Sequence, residues 1–271
     1  MTDLSAILTQ PKEDEYLGEG GLLYCARCST PRQKRLELMD KTYLVRCYCH
    51  CQAQSAQREE EARRALELRD RISRYRSIGM TEASLRAATF ENDRFGGHEI
   101  EVAKRYVKHW EEMRRRALGL ILWGPVGSGK TYIAAAIANA LLDRGVPAMM
   151  TSFGRILGGM PSAASGEQNR YIASLNAFDL LVIDDLGAER ETEYTAEQVY
   201  NIIDARYREH LPLIVTTNLK LEDMKQSKSL VKQRIYSRVL ERCVPLCVNR
   251  RKIREDNASS NLSQAAALLK A

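Results

Sequence analysis

One run, Gly124-Pro125-Val126-Gly127-Ser128-Gly129-Lys130-Thr131, constrains this chain more than any other feature. It lies between an apolar stretch, Leu120-Ile121-Leu122-Trp123, and an alanine- and isoleucine-rich stretch from Tyr132 to Ala138. The order reads as strand, glycine-rich loop, helix, and the loop spells G-x-x-x-x-G-K-T. Glycines at 127 and 129 let the backbone curl until successive N–H groups face one anion. A helix opening near Gly129 adds the positive end of its dipole. Lys130 then reaches the β- and γ-phosphates of a nucleotide, and the Thr131 hydroxyl stands where a Mg²⁺ ligand is needed. The pattern implies a site for a nucleoside triphosphate and Mg²⁺.

From Gly119 onward the sequence alternates strand and helix patterns. Strands are expected at Leu120–Trp123, Val146–Thr151, Leu180–Asp184 and Leu213–Thr217. Uniformly apolar strands separated by helical stretches predict an α/β fold, a parallel sheet covered on both faces. Between Phe153 and Asn176 the glycine-, serine- and proline-containing sequence predicts an irregular surface segment. Leu180-Leu-Val-Ile183-Asp184-Asp185 is a buried strand ending in two carboxylates, the Walker B arrangement. Asp184 is expected to hold the Mg²⁺ water shell, and Asp185 to orient or deprotonate the attacking water. Aspartate at the second position is one methylene shorter than glutamate, which leaves Glu189 as an alternative base. A third strand end, Val215-Thr216-Thr217-Asn218, brings an amide towards the γ-phosphate, the position of a sensor 1 residue.

Five of the seven cysteines fall in one short span: Cys25-x₂-Cys28, eighteen residues, then Cys47-Tyr48-Cys49-His50-Cys51. Two facing knuckles of paired thiolates supply the four tetrahedral ligands that Zn²⁺ prefers. Cys25, Cys28, Cys47 and Cys49 are the expected set, with Cys51 or His50 as a substitute. So small a segment has almost no apolar core, and a metal supplies folding energy that burial does not. Thr42–Val45 reads as a strand of a zinc ribbon. The alternatives are a redox pair or incidental thiols.

The intervening residues are polar and helical. Ala65, Leu68, Ile72 and Tyr75 share one helical face in a segment dense in Arg and Glu, which reads as a solvated connector. Thr81 or Ser84 is placed to cap a short helix, and a further amphipathic helix is expected through Val102, Tyr106, Trp110 and Met113. Arg114, Arg115 and Arg116 read as its solvated end, the alternative being contact with a nucleic-acid backbone. Towards the C-terminus Arg234, Arg238 and Arg242 recur four apart on one helical face, with Ile235, Val239 and Leu240 turned inward. An arginine row suits a γ-phosphate held by an adjacent subunit; the alternative is a solvated or DNA-facing helix. Cys243 and Cys247 bound a short apolar strand and read as core thiols. The first residues, with Leu4, Ile7 and Leu8, form either a flexible lead or a short helix.

The net charge of +6 points weakly to nucleic acid. No apolar run approaches the ~20 residues that span a bilayer, and the start lacks a signal-peptide pattern. A cytoplasmic location is expected, with reduced cysteines that act as metal ligands.

With these motifs assembled, the chain resembles the bacterial replicative-helicase loader family, the DnaC/DnaI group of AAA+ ATPases that also includes the transposition helper IstB. The resemblance covers roughly residues 20–254 and is carried by Gly119–Asn139, Ile183–Glu189 and Gln233–Arg238. The cysteine run resembles the zinc-binding N-terminal domain of the DnaI-like branch. The resemblance implies an AAA+ P-loop NTPase domain at 90–254. Before it would come a zinc-ribbon-like helicase-interaction domain at 1–55 and a helical linker at 56–89, and after it a tail at 255–271. It also implies catalytic roles for Lys130, Asp184, Asp185 and Asn218, Arg242 as an arginine finger, and Arg238 as a nucleotide sensor. Arg254 follows a stretch that lacks the family's glycine turn. The implied activity is ATP-dependent loading of a hexameric replicative DNA helicase. The implied partners are that helicase, single-stranded DNA and further copies of the chain, with no membrane. The alternatives are an IstB-like ATPase assisting DNA transposition, or a zinc-ribbon adaptor that uses ATP only as a switch.

Overall fold

The computed structural model describes residues 11–38, 41–161, 165–188, 192–250, 262–266 and 269. Two compact units divide the chain, Met1–Leu68 and Arg69–Ala271.

In the first unit β1 (Glu15–Leu17) pairs antiparallel with β2 (Leu23–Cys25), and β3 (Gln33–Leu38) pairs antiparallel with β4 (Lys41–Arg46). The strand expected at Thr42–Val45 is β4. Its pairing ends at Gln33↔Arg46, and α1 (His50–Gly79) begins a few residues later. Among the described residues, the apolar side chains buried in this unit are Leu23, Cys25 and Cys49. That core is too small to hold two hairpins without a cross-link or a metal.

α1 is one continuous helix, and its expected stripe is only half used. Ala65 and Leu68 are exposed, Ile72 is half-buried, and Tyr75 packs on the core of the second unit, to which it belongs.

The second unit is built on five parallel strands: β5 (Gly119–Trp123), β6 (Ala148–Ser152), β7 (Leu180–Leu186), β8 (Leu213–Thr217) and β9 (Cys243–Cys247). Their spatial order is β6-β7-β8-β5-β9. Side chains alternate between two cores. Leu120, Leu122, Leu180, Val182 and Ile214 enter one; Ile121, Leu181, Ile183, Leu213 and Val215 enter the other. Burial on both faces is why these strands read as continuous apolar runs. β6 starts at Ala148 rather than Val146 because Pro147 offers no N–H to a ladder.

The helices that cover the sheet depart from expectation in two places. The helix expected through Val102 and Met113 is broken at His109 into α3 (His98–Lys108) and α4 (Trp110–Arg115). The break lets Trp110 pack edge-on against Tyr106 with both rings buried. The segment expected to be irregular holds α6 (Phe153–Gly159) and α7 (Ser165–Leu175), because Phe153, Ile156, Ile172 and Leu175 are drawn into the core. Tertiary burial outweighs the local glycine signal there. The remaining helices are α2 (Ala83–Arg86), α5 (Lys130–Asp143), α8 (Glu193–Arg208), α9 (Leu221–Lys225) and α10 (Leu230–Arg242). α2 is capped by neither Thr81 nor Ser84: its N-cap is Glu82, with no side-chain bond. Arg114 pairs with Asp179 at 2.7 Å, and Arg115 and Arg116 pair with Glu112, so this basic run is held within its own chain. Cys243 is buried as expected of a core thiol, whereas Cys247 is exposed. Leu4, Ile7, Leu8 and Arg254 lie outside the described residues.

Candidate functional site

β5 delivers the loop Gly124–Gly129 to the start of α5. Gly124, Gly127 and Gly129 have φ of 145°, 80° and 94°, a region that side chains with a Cβ rarely enter. At Gly124 a Cβ would also stand 2.3 Å from the Val248 carbonyl oxygen, so the loop leaves the sheet only with glycine there. Val126 is exposed at the lip, and Ser128 buries a hydroxyl that has no partner among the described residues.

Lys130 is 5% exposed, and its Nζ donates to the carbonyls of Gly124 (3.0 Å) and Pro125 (2.8 Å) and to Asn218 Oδ1 (2.8 Å). The Thr131 hydroxyl donates to Asp184, at 3.0 Å from Oδ1 and 3.2 Å from Oδ2. Residues 88 and 53 positions apart in sequence meet because β5, β7 and β8 are parallel neighbours whose C-terminal ends share one edge. Burial pushes the Asp184 carboxyl above its ordinary pKa and the neighbouring Asp185 adds to this, while the Thr216 and Thr131 hydroxyls and Lys130 pull the other way.

Asp185 is exposed and has φ of 57°, unusual for a residue other than glycine. Its N–H donates to Thr216 Oγ1 at 2.9 Å, and the Thr216 hydroxyl donates to Asp184 Oδ1 at 2.6 Å. A cavity of about 220 Å³ is lined by Val126, Gly127, Gly129, Lys130, Thr131, Tyr132, Asp185 and Asn218. Of the loop residues expected from sequence, Val126, Gly127, Gly129, Lys130 and Thr131 thus share one cavity with Asp185 and Asn218, with Asp184 hydrogen-bonded to Thr131, while Gly124, Pro125 and Ser128 do not line it. Glu189, the alternative base, lies outside the described residues. Hard oxygen donors on Thr131 and Asp184, 3.0 Å apart, fit a Mg²⁺ that keeps several waters, and the curled glycine loop fits phosphate.

No motif of its own marks Thr216 in the sequence. Its one signal is a pair of hydroxyls, Thr216 and Thr217, inside an otherwise apolar strand, both fully buried.

The arginine row sits on α10 facing α8. Arg238 pairs with Asp204 at 2.6 Å, and its guanidinium lies 4.7 Å from the Tyr200 ring centre and 5.5 Å from that of Tyr207. Arg242 lies 4.8 Å from the Tyr207 ring centre, with Nη2 3.2 Å from His210 Nδ1. Neither lines the P-loop cavity of its own chain. Arg234 lines a separate cavity of about 830 Å³ between α8 and α10.

In the first unit the sulfurs of Cys25, Cys28, Cys49 and Cys51 lie within 4.8 Å of one another. This corrects the expected ligand set: Cys47 is replaced by Cys51. The Cys47 N–H is tied to the Arg32 carbonyl, and its Sγ turns to the Pro31 carbonyl at 3.6 Å. The chain then bends into α1, which swings Cys51 rather than Cys47 towards Cys25 and Cys28. His50 is exposed and is not part of the cluster. The Thr30 hydroxyl and then the Cys51 N–H lower the Cys28 pKa to about 5, while hydrogen bonding of the Cys51 thiol to Cys49, Cys28 and Cys25 pushes Cys51 up to about 12. Four sulfurs this close ionise together only around a cation, and the all-thiol donor set fits Zn²⁺.

Fold and site together define an AAA+ type P-loop nucleotide-binding protein with a cysteine-cluster unit before it. Residues 55–261 match the IstB-like ATP binding protein family, and the chain belongs to that family. It is 30% identical over 143 residues to the replicative helicase loader DnaC of Escherichia coli K12, covering 52% of this chain and 56% of DnaC. The chain thus spans about half the length of the curated DnaC relatives it matches. It is 28% identical over 230 residues to the phage-like element PBSX protein XkdC of Bacillus subtilis, covering 78% of each. Among solved structures, the DnaC helicase loader superposes with TM-score 0.53 at 20% identity, covering 62% of this chain and 100% of that one. DnaI superposes with TM-score 0.52 at 24% identity, covering 64% and 96%. No helix among the described residues is long and apolar enough to cross a membrane.

Proposed function

We propose that this protein is an ATP-hydrolysing loader of a hexameric replicative DNA helicase. The observation that carries the reading is the single cavity in which Lys130, Thr131, Asp185 and Asn218 meet, with Asp184 on Thr131. Backbone N–H groups of the glycine loop and the Lys130 ammonium bind the phosphates of ATP. Thr131 and Asp184 would hold a Mg²⁺, which would supply charge neutralisation at the β- and γ-phosphates. Asp185 takes the proton of the attacking water, and Asn218 orients the γ-phosphate end of the site. Arg242 reaches the nucleotide of a neighbouring copy, with Arg238 beside it as the sensor, and assembly brings single-stranded DNA to the same complex.

The cysteine unit supports a loader over a transposition helper. The family match begins at residue 55, so the cluster at Cys25–Cys51 is an addition to the shared ATP-binding part. In this reading residues 1–55 hold Zn²⁺ and grip the helicase, 56–89 link, 90–254 hydrolyse ATP, and 255–271 are a tail. The intact Lys130, Asp184 and Asn218 set, which serves hydrolysis as well as binding, disfavours an adaptor that uses ATP only as a switch.

The test is co-elution with the purified hexameric replicative helicase of the host, with and without ATP. Co-elution that is lost on Cys25→Ser/Cys28→Ser, and ATP-dependent release that is lost on Lys130→Ala, are the expected results. Failure to bind the helicase, together with ATP-dependent filaments on duplex DNA, would move the protein to the transposition class.

A further inference from the structure

We propose that Thr216 is a positioning residue for both Walker B carboxylates: it aims Asp184 at the metal and props the backbone that turns Asp185 into the cavity. The inference rests on the nucleotide reading above and names a part of the machinery that no motif marks.

The pairing of β7 with β8 is interrupted at the site. Ile183 pairs with Val215 and Leu186 with Thr217, so Asp184 and Asp185 together oppose one residue, Thr216. Two residues against one make a β-bulge, and bulges re-aim the side chains that follow them. The extra residue loses its ladder partner, and the Thr216 side chain supplies the missing acceptor to the Asp185 N–H at 2.9 Å. That bond holds Asp185 at φ 57°, a conformation that persists only where its surroundings impose it. Without the prop, Asp185 relaxes towards ordinary strand geometry, and its carboxylate swings away from the cavity.

The same oxygen serves Asp184. A hydroxyl has one proton and two lone pairs. Its proton goes to Asp184 Oδ1 at 2.6 Å, and a lone pair takes the Asp185 amide, so neither role competes with the other. Thr131 divides its proton between the two oxygens of Asp184, at 3.0 and 3.2 Å, and is the hydroxyl free to turn to a cation. Thr216 is fully buried and has no such alternative. When Thr131 turns to the metal, Thr216 is the hydroxyl that still fixes the Asp184 carboxylate. Outer-shell partners of this kind commonly govern metal affinity or activity.

Valine matches threonine in shape and lacks only the hydroxyl, so Thr216→Val is the test, with Thr216→Ser as the conservative partner. Two quantities are read: the Mg²⁺ concentration that half-saturates tight binding of a fluorescent ATP analogue, and kcat at saturating Mg²⁺. Thr216→Val is expected to raise the Mg²⁺ midpoint and lower kcat, each by about 10- to 100-fold, while binding without Mg²⁺ is unchanged. Thr216→Ser is expected to recover most of both. A Thr216→Val protein with the wild-type Mg²⁺ midpoint and kcat overturns the inference and leaves the nucleotide reading standing. A Thr216→Ser protein as impaired as the valine variant also overturns it, since packing would then be the cause. A wild-type protein that binds nucleotide with an affinity that ignores Mg²⁺ overturns this inference alone, and one that binds no nucleotide with or without Mg²⁺ overturns the nucleotide reading as well.

Discussion

Replacing Cys51 by serine tests the cysteine cluster where sequence and structure part company. Cys51 is the common vertex of the group, with its sulfur 3.6 Å from Cys25, 3.5 Å from Cys28 and 3.4 Å from Cys49. Zn–S bonds of about 2.3 Å in a tetrahedron set sulfur–sulfur edges of about 3.8 Å. The three sulfurs therefore need only a few tenths of an ångström of expansion to accept the ion. A structural zinc contributes about 10–16 kcal/mol of apparent binding energy. If one ligand carries even a quarter of this, its loss costs about 2.5–4 kcal/mol, or roughly 10²- to 10³-fold in affinity. Among the described residues of the first unit, Leu23, Cys25 and Cys49 are the buried apolar side chains, a core too small to offset that loss. The assay is zinc content by mass spectrometry after dialysis against a weak chelator, followed by limited proteolysis. Wild type and Cys47→Ser should each keep one equivalent of zinc and a protected N-terminal unit. Cys51→Ser should lose both while the second unit still binds ATP. Zinc retained by Cys51→Ser and lost by Cys47→Ser would refute the assignment.

Two further outcomes follow from the ATP site. Asp184 has a pKa raised chiefly by burial, so its contribution to stability is full below the ordinary carboxylate pKa and is lost as pH rises through the raised value. Asp184→Asn should therefore raise the Tm of nucleotide-free protein at pH 8, with a gain that vanishes below about pH 4; a gain independent of pH would refute the cause. Arg242→Ala mixed with Lys130→Ala should regain ATPase activity that neither has alone, because a finger worth about 10³-fold or more acts on a neighbour's pocket. Rates that merely add across the mixing series would place Arg242 in its own chain's structure, on Tyr207.

The P-loop was legible because its chemistry is local. The glycines that curl the backbone, the lysine and the threonine are contiguous, and no other part of the chain is needed to recognise them. Asp184 and Asn218 were legible for a related reason: parallel strands present their C-terminal ends at one edge, so a polar residue ending an apolar run lands near the loop. Where local signals met tertiary burial, burial decided the outcome, as in α6 and α7, whose apolar residues pack despite Gly158 and Gly159. The ligand change from Cys47 to Cys51 depends on where β4 stops pairing and α1 begins, a matter of a few residues that spacing does not resolve. Asp204 meets Arg238 only because α8 and α10 pack together. Thr216 acquires its contacts from a bulge in the opposing strand, which no residue in β8 announces. Sequence by itself determined the groups that act through neighbouring backbone, since covalent continuity sets their geometry. Tertiary structure alone decided the partners that no strand-end rule places, such as Cys51, Thr216 and Asp204, because register and packing, rather than spacing along the chain, set those distances.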